Sequence, residues 1–336
     1  MSYRCQLYGL GVLADKIIPG VPPSLVSKID LRVNLGSIPH WLDDLSQTEN
    51  ETVYVTDYRD ESGDPLLRVF RLQDGYFKFA YADQTTFLID QNGTEVWARW
   101  SEPLALEDTA TYLLGPIMGF VMLLRGVFSL HASAIAIGNV AIAVMGPAGS
   151  GKSTTAAAFS TMGYPVLAED VVTLDDCGDH FLVKPAYPCI RLWPASVKAL
   201  FGSETHLPLL TPNWNKRYLD LSQNPDQFQQ QPLPLAAIYQ LDERQDETSA
   251  PYISSLDPSQ GMIALVANTY STRLMDKQMR AREFSVLSRL INDVPLRRVT
   301  PHDSVLRIPD LCDCIIKDFA KLNSSHPTRA TCALHV

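Results

Sequence analysis

Long apolar runs are scarce in this chain of 336 residues. The stretch 112–124 is mostly apolar and carries no charge. It is shorter than the ~20 residues that cross a bilayer, so it reads as a buried helix, and no membrane partner is expected. Met1-Ser2-Tyr3-Arg4-Cys5-Gln6 has no charged segment running into an apolar one, so no secretory signal is expected. Cysteine is sparse: Cys5, Cys177, Cys189, Cys312, Cys314 and Cys332 form no C-x-x-C pair and show no metal-ligand spacing. Cys312 and Cys314 flank Asp313 in a predicted helix, where their side chains diverge. Reduced thiols in a cytoplasmic protein are the simplest account. Basic charge is also in deficit, with 28 Lys and Arg against 37 Asp and Glu and a net charge of −9. A chain with pI near 5.2 does not point to a nucleic-acid or polyanionic partner. There are no internal repeats and no long low-complexity tract. What is present is a hydrophobic fraction of 46%, enough for a core, in a length that suits one large or two ordinary domains.

The first hundred residues read as β-rich. Candidate strands are 3–10, 29–33, 52–57, 66–72, 76–81, 86–90 and 95–99, and the later ones are separated by Asp74-Gly75, Ala82-Asp83 and Asn92-Gly93. Asn-Gly between alternating apolar positions is a strong hairpin signal. An antiparallel meander without a catalytic constellation is expected over 1–103, as a β-rich N-terminal domain. A helix over 104–125 follows and ends at Gly126. A strand over 127–137 then turns at Gly138-Asn139 into the apolar run 140–145.

That run feeds Gly146-Pro147-Ala148-Gly149-Ser150-Gly151-Lys152-Ser153-Thr154, which fits G-x-x-x-x-G-K-[ST]. The small, Ala-rich stretch 153–162 reads as a helix with Gly163 as its C′ residue. Strand, glycine loop and helix N-terminus together make an anion site, because the loop amides point inward and the helix dipole adds positive charge. ATP and Mg²⁺ are therefore the expected cofactors. Lys152 is placed to reach the β- and γ-phosphates, and the Ser153 hydroxyl to ligand Mg²⁺.

Further along, an apolar strand over 164–174 carries the adjacent carboxylates Glu169 and Asp170. One reads as the base that takes the acceptor proton and the other as a Mg²⁺ ligand. Glu169 is assigned as base and Asp170 as ligand, and the roles are exchangeable because strand neighbours point to opposite faces. Two adjacent carboxylates repel, which raises one pKa. His131, on the strand paired with the loop strand, lies near this site. Arg191 is a candidate for the transferring phosphoryl group, since a guanidinium matches phosphate geometry. Residues 201–235 read as a long polar loop carrying Lys216 and Arg217, candidates for phosphate or an acidic acceptor; Arg273 and Arg280 are weaker candidates of that kind. His180, His206 and His302 read as surface residues. Helices over 259–268, 276–292 and 308–322, with strands over 236–241 and 296–299, complete the second half. Leu311, Ile315, Phe319 and Leu322 form one apolar stripe, and 323–336 reads as a disordered tail.

With those residues in place, the second half resembles the catalytic domain of bacterial HPr kinase/phosphorylase. It looks closer still to the HPr-kinase-like proteins found beside biosynthetic genes, including those that phosphorylate lasso-peptide precursors. The resemblance rests on Leu130-His131-Ala132-Ser133, the phosphate loop and Val166-Leu167-Ala168-Glu169-Asp170-Val171. Arg191-Leu192-Trp193-Pro194, Lys216-Arg217-Tyr218 and Leu265-Val266-Ala267-Asn268-Thr269-Tyr270 add to it. It implies an α/β P-loop kinase domain of the HPr kinase/phosphoenolpyruvate carboxykinase type over 104–322. It also implies transfer of the γ-phosphate of ATP to a serine or threonine hydroxyl of a peptide or protein, and a homo-oligomer. On the resemblance, His131 orients or charge-pairs with Glu169 or contacts the γ-phosphate, and Asn268 and Tyr270 line the acceptor side.

Two departures matter. HPr-phosphorylating members have Asp-Asp where this chain has Glu169-Asp170, and a Glu in Leu-Glu-Ile-Arg-Gly where this chain has Pro188-Cys189-Ile190-Arg191-Leu192. The latter motif is tied to phosphorylase activity and metal binding. Its loss argues for a dedicated kinase with another acceptor, including tailoring of a ribosomal precursor peptide. A small-molecule kinase in a biosynthetic pathway and a non-catalytic ATP-binding regulatory module are the alternative readings.

Overall fold

A computed structural model of the chain describes residues 2–45, 51–73 and 75–325. They form two compact units. The first comprises Met1–Val127 with Thr211–Trp214 and Ser271–Met279, and the second comprises Phe128–Leu210, Asn215–Tyr270 and Arg280–Val336.

The first unit is built on an eight-stranded mixed sheet. In chain order its elements are β1 (Tyr3–Leu7), β2 (Leu10–Ala14), β3 (Leu31–Leu35), α1 (His40–Leu45), β4 (Glu51–Val55), β5 (Leu67–Arg71), β6 (Phe77–Tyr81), β7 (Thr86–Ile89) and β8 (Glu95–Arg99). The expected antiparallel meander is present from β4 to β8. Of its turn signals, Asp74 lies outside the described residues. Two features differ from expectation. The stretch 3–10 contains a hairpin turn at Tyr8-Gly9, with φ of 53° and 81°. Two positive φ values make the tight turn that matches strand twist. A tyrosine is a poor cue for it, and burial compensates: the Tyr8 hydroxyl donates to the Leu114 carbonyl at 2.5 Å. The second difference is β3, which runs parallel to both β2 and β8, a non-local pairing that strand patterning does not encode. The predicted helix over 104–125 is present as α2 (Leu106–Tyr112), a π-helical turn over Leu113–Ile117, and α3 (Met118–Leu124). Pro116 sits inside the π turn. It lacks the N–H that the regular ladder needs, and the wider turn accommodates that gap.

The second unit begins with β9 (Phe128–Ile137), which turns at Gly138-Asn139 into β10 (Val140–Met145) in antiparallel register. Every residue of β10 is buried, as in a strand covered on both faces. Next come α4 (Lys152–Thr161), β11 (Val166–Ala168), β12 (Val171–Asp176) and β13 (Phe181–Val183). They are followed by β14 (Cys189–Leu192), α5 (Pro194–Phe201), β15 (Leu209–Thr211) and β16 (Trp214–Asp220). The unit closes with β17 (Leu233–Leu241), β18 (Tyr252–Ser255), α6 (Pro258–Asn268), α7 (Lys277–Asp293), β19 (Leu296–Thr300) and α8 (Ile308–Ser325). β10, β17 and β19 are parallel neighbours, so their carboxyl ends share one edge. β9 is shared: its first half pairs with β12 and its second half with β10 and β11.

The polar stretch 201–235 is not one loop. β16 lies antiparallel to β14, with Arg191 opposite Tyr218 and Leu192 opposite Arg217, and β15 completes a three-stranded sheet. α8 runs to Ser325, past the expected boundary at 322; the remainder of the expected tail, 326–336, and Cys332 lie outside the described residues. The described cysteines are free thiols. No described helix is long and apolar enough to cross a membrane.

Phe159 of α4 packs in one core cluster with Ile142 and Val144 of β10 and with Leu311, Ile315 and Phe319 of α8. It is fully buried. Its contacts fix the phosphate-loop helix to the sheet. Phe159→Ala is expected to lower unfolding stability by about 3–5 kcal/mol. Urea titration checks this, and an unchanged midpoint would exclude Phe159 as an anchor.

Candidate active site

The loop after β10 adopts backbone that only glycine enters freely. Gly146, Gly149 and Gly151 have φ of 153°, 80° and 109°. A Cβ on Gly146 would lie 2.8 Å from the Leu241 carbonyl oxygen at the end of β17. Gly151 is the N-cap of α4, and no side chain caps that end. The first-turn amides therefore keep their donors for an anion. Lys152 folds over the loop, with Nζ donating to the carbonyls of Gly146 at 2.8 Å and Pro147 at 3.1 Å. Ser150 Oγ is buried without a hydrogen-bond partner. Asn268, expected on the acceptor side, is buried behind the loop. Its Oδ1 accepts from the Gly146 N–H at 3.2 Å, and its Nδ2 donates to the Ala264 carbonyl at 2.8 Å.

The strand expected over 164–174 is broken at the two carboxylates, between β11 and β12. Asp170 has φ of 71°, and the Val171 N–H donates back to the Glu169 carbonyl at 2.9 Å. This is a γ-turn of the strained hand. Regular strand geometry would send the two side chains to opposite faces. The turn instead lets both reach Arg191, which donates from Nε to Glu169 Oε2 at 3.3 Å and from Nη2 to Asp170 Oδ2 at 2.7 Å. Glu169 Oε1 accepts from Ser153 Oγ at 2.7 Å. His131 Nε2 stands 3.2 Å from Asp170 Oδ1, so the histidine pairs with Asp170 and not with Glu169. The Tyr270 hydroxyl donates to Asp170 Oδ2 at 3.4 Å, and its ring meets the His131 ring edge-on at 5.8 Å.

β16 contributes Lys216. Its ammonium lies 5.0 Å from the Trp193 ring centroid and interacts with Glu169, Asp170 and Arg191. Arg217, its strand neighbour, turns away and donates to the Leu207 carbonyl at 3.5 Å. The structure thus brings His131, Lys152, Ser153, Glu169, Asp170, Arg191, Lys216 and Tyr270 together, and leaves Arg217 apart. Arg273 belongs to the first unit, where it pairs with Asp57 at 3.0 Å. Trp193, two residues beyond Arg191 at the start of α5, enters the site through its ring contact with Lys216. His180 and His206 are exposed, whereas His302 is mostly buried and accepts from the Ser304 N–H at 2.9 Å.

Charge organises the cluster. Burial pushes the Asp170 carboxyl up, but Arg191, His131 and Lys216 outweigh it and hold the group well below the usual carboxylate range. Arg191 loses hydration too, yet Tyr187, Asp170 and Glu169 keep it firmly charged. Burial lowers the pKa of Lys152 against the opposing pull of Asp170 and Glu169, and it lowers that of Lys216 likewise. Two carboxylates therefore face three cations, a surplus of positive charge suited to an oligophosphate. Open amides, a lysine, and a hydroxyl against a carboxylate are the donor set that a nucleoside triphosphate with Mg²⁺ requires, so these residues fit both.

The depressed Asp170 pKa has a definite sign. Its stabilising contribution is complete above the unfolded-state value of about 3.9 and is lost as pH falls through the folded value. Stability of the wild type is expected to fall progressively from about pH 5 down to about pH 2 and below, and that of Asp170→Asn to fall less. Urea midpoints across this range check it; identical slopes would remove Asp170 from the account.

No protein-family model matches the chain, and no characterised protein matches it by sequence. Among solved structures, it is similar to the HPr(Ser) kinase/phosphatase from Coxiella burnetii, with 13% identity over 60% of this chain and 98% of that one. The TM-score is 0.33, a likeness too slight to carry weight in assigning the site.

Proposed function

We propose that this chain is an ATP- and Mg²⁺-dependent phosphotransferase acting on a hydroxyl group. The observation that carries the reading is the convergence of Ser153, Glu169, Asp170 and Arg191 beside Lys152 at the N-terminus of α4. The phosphate loop suits the donor, and the carboxylates beside it suit an attacking hydroxyl. On the family resemblance, the acceptor is a serine or threonine of a peptide or protein, with a ribosomal precursor peptide as one such acceptor.

Mg²⁺, when bound, screens charge on the transferring phosphoryl group. Ser153 and Glu169 are the residues that would hold it, because the serine hydroxyl is already within hydrogen-bond reach of Glu169 Oε1. Asp170 is then the carboxylate for the acceptor. This is the exchange of roles that the paired acids leave open, and the His131–Asp170 contact favours it. A carboxylate held ionised by Arg191 and His131 is a weak base but a fixed acceptor. Phosphoryl transfer through a loose transition state asks chiefly for positioning and charge stabilisation, with little early proton transfer. Arg191 and Lys216 supply positive charge where the transferring group carries it.

The test is transfer from γ-labelled ATP to candidate acceptor peptides and small hydroxyl compounds. Asp170→Asn is expected to lower the transfer rate about 10²–10⁴-fold while ATP still binds. Glu169→Gln is expected to raise the Mg²⁺ concentration needed for half-maximal rate, and Lys152→Ala to lose transfer. Wild-type rates in Asp170→Asn would return the base to Glu169. Wild-type rates in both carboxylate variants would sink the mechanism.

A further inference from the structure

The carboxyl ends of β10, β17 and β19 open onto one cleft. The loop after β10 lines it with Ser150 and Gly151, the segment after β17 with Arg244, and the segment after β19 with His302 and Asp303. Crevices outside the carboxyl ends of parallel strands are where α/β folds receive ligands. The outer wall is tied together by backbone hydrogen bonds. Gln245 donates its N–H to the Pro301 carbonyl at 3.0 Å and accepts from the Asp303 N–H at 3.1 Å, so the two segments continue the sheet. The Ser304 N–H bond to His302 fixes the end of that wall. Arg244 is exposed and reaches back over the loop. Its Nη2 lies 3.5 Å from the Ser150 carbonyl oxygen, and 3.1 Å from where a Cβ on Gly151 would stand. On the opposite wall, Thr154 Oγ1 and Ser196 Oγ meet at 2.8 Å.

We propose that this cleft takes the nucleoside of the donor triphosphate, with Arg244 against the base and Asp303 on the ribose hydroxyls. The inference rests on the phosphotransferase reading above. The reacting end of the phosphate chain belongs with Lys152, Ser153 and the carboxylates, so the other end leaves the loop past Gly151 and Thr154, where the cleft begins. A planar guanidinium stacks on a flat ring and also pairs with a phosphate oxygen. A carboxylate accepts from two neighbouring hydroxyls. Asp303 is about half exposed, with its Oδ1 3.1 Å from His302 Nδ1 at the rim of the cleft. The ligand class is a ribonucleoside triphosphate rather than inorganic polyphosphate.

Equilibrium binding of ATP, 2′-deoxy-ATP and inorganic tripolyphosphate, each with Mg²⁺, tests this on the full chain. Both side chains are exposed, and thermal melts verify that the variants fold. Asp303→Ala and Arg244→Ala are expected to weaken ATP about tenfold each and tripolyphosphate less than about twofold. The wild type is expected to prefer ATP to 2′-deoxy-ATP, and Asp303→Ala to lose that preference. Lys152→Ala should weaken all three ligands. ATP affinity unchanged in both cleft variants would overturn the proposal while leaving the phosphate loop intact. A wild type that binds tripolyphosphate as tightly as ATP would do the same. Failure of the wild type to bind any of the three would sink the donor reading itself.

Discussion

The site depends on one buried ion cluster, Arg191 with Glu169 and Asp170. Arg191 and Glu169 are less than one-tenth exposed, and each would be costly to bury alone. Together they satisfy one another, and the geometry is unforgiving. The guanidinium holds two carboxylates that a regular strand would have separated, and the γ-turn at Asp170 supplies the required reversal. Strained backbone of this kind persists where the surrounding structure over-determines it. Here β11 on one side and β12 on the other are both held to β9, so the turn between them has little freedom.

The cluster also joins elements that are far apart in the chain. Arg191 comes from β14, the carboxylates from the β11–β12 break, Ser153 and Lys152 from α4, His131 from β9, and Lys216 from β16. β9 is the common reference. It pairs with the strand that feeds the phosphate loop and with the strand that follows the carboxylates, so His131 and Ser133 sit between the two halves of the site. Parallel pairing of β10, β17 and β19 then places three strand ends on one edge, which is how Arg244 and Asp303 come to stand beside a loop nearly a hundred or more residues earlier in the chain.

Much of this was legible from residue order, and the reasons are local. Gly146 to Ser153 announces itself because glycine conformations, the lysine and the hydroxyl must fall at set spacings on one strand–loop–helix unit. The Gly138-Asn139 turn and the apolar run after it predict the β9–β10 pair for the same reason. Glu169 and Asp170 stand out as adjacent acids in an apolar strand. The misses are non-local. Nothing in the polar sequence around Lys216 signals that it pairs with the proline-flanked strand of Arg191, and the half-buried pattern of β16 hides it. Asn268 reads as a polar residue available to a ligand, but it holds the phosphate loop from behind. His302 reads as a surface residue, but it pins the turn beside Asp303.

The sequence by itself determined the phosphate loop, because such a loop is contiguous and its requirements are met by neighbouring residues. It also determined which acids and bases were available. Tertiary structure alone decided how they are partnered: His131 with Asp170, Glu169 with Ser153, and Lys216 within the cluster while Arg217 faces away. Those assignments turn on a single left-handed residue and on strand pairings across long separations. One positive φ at Asp170 redirects a side chain by a whole strand face, and residue order carries no trace of it.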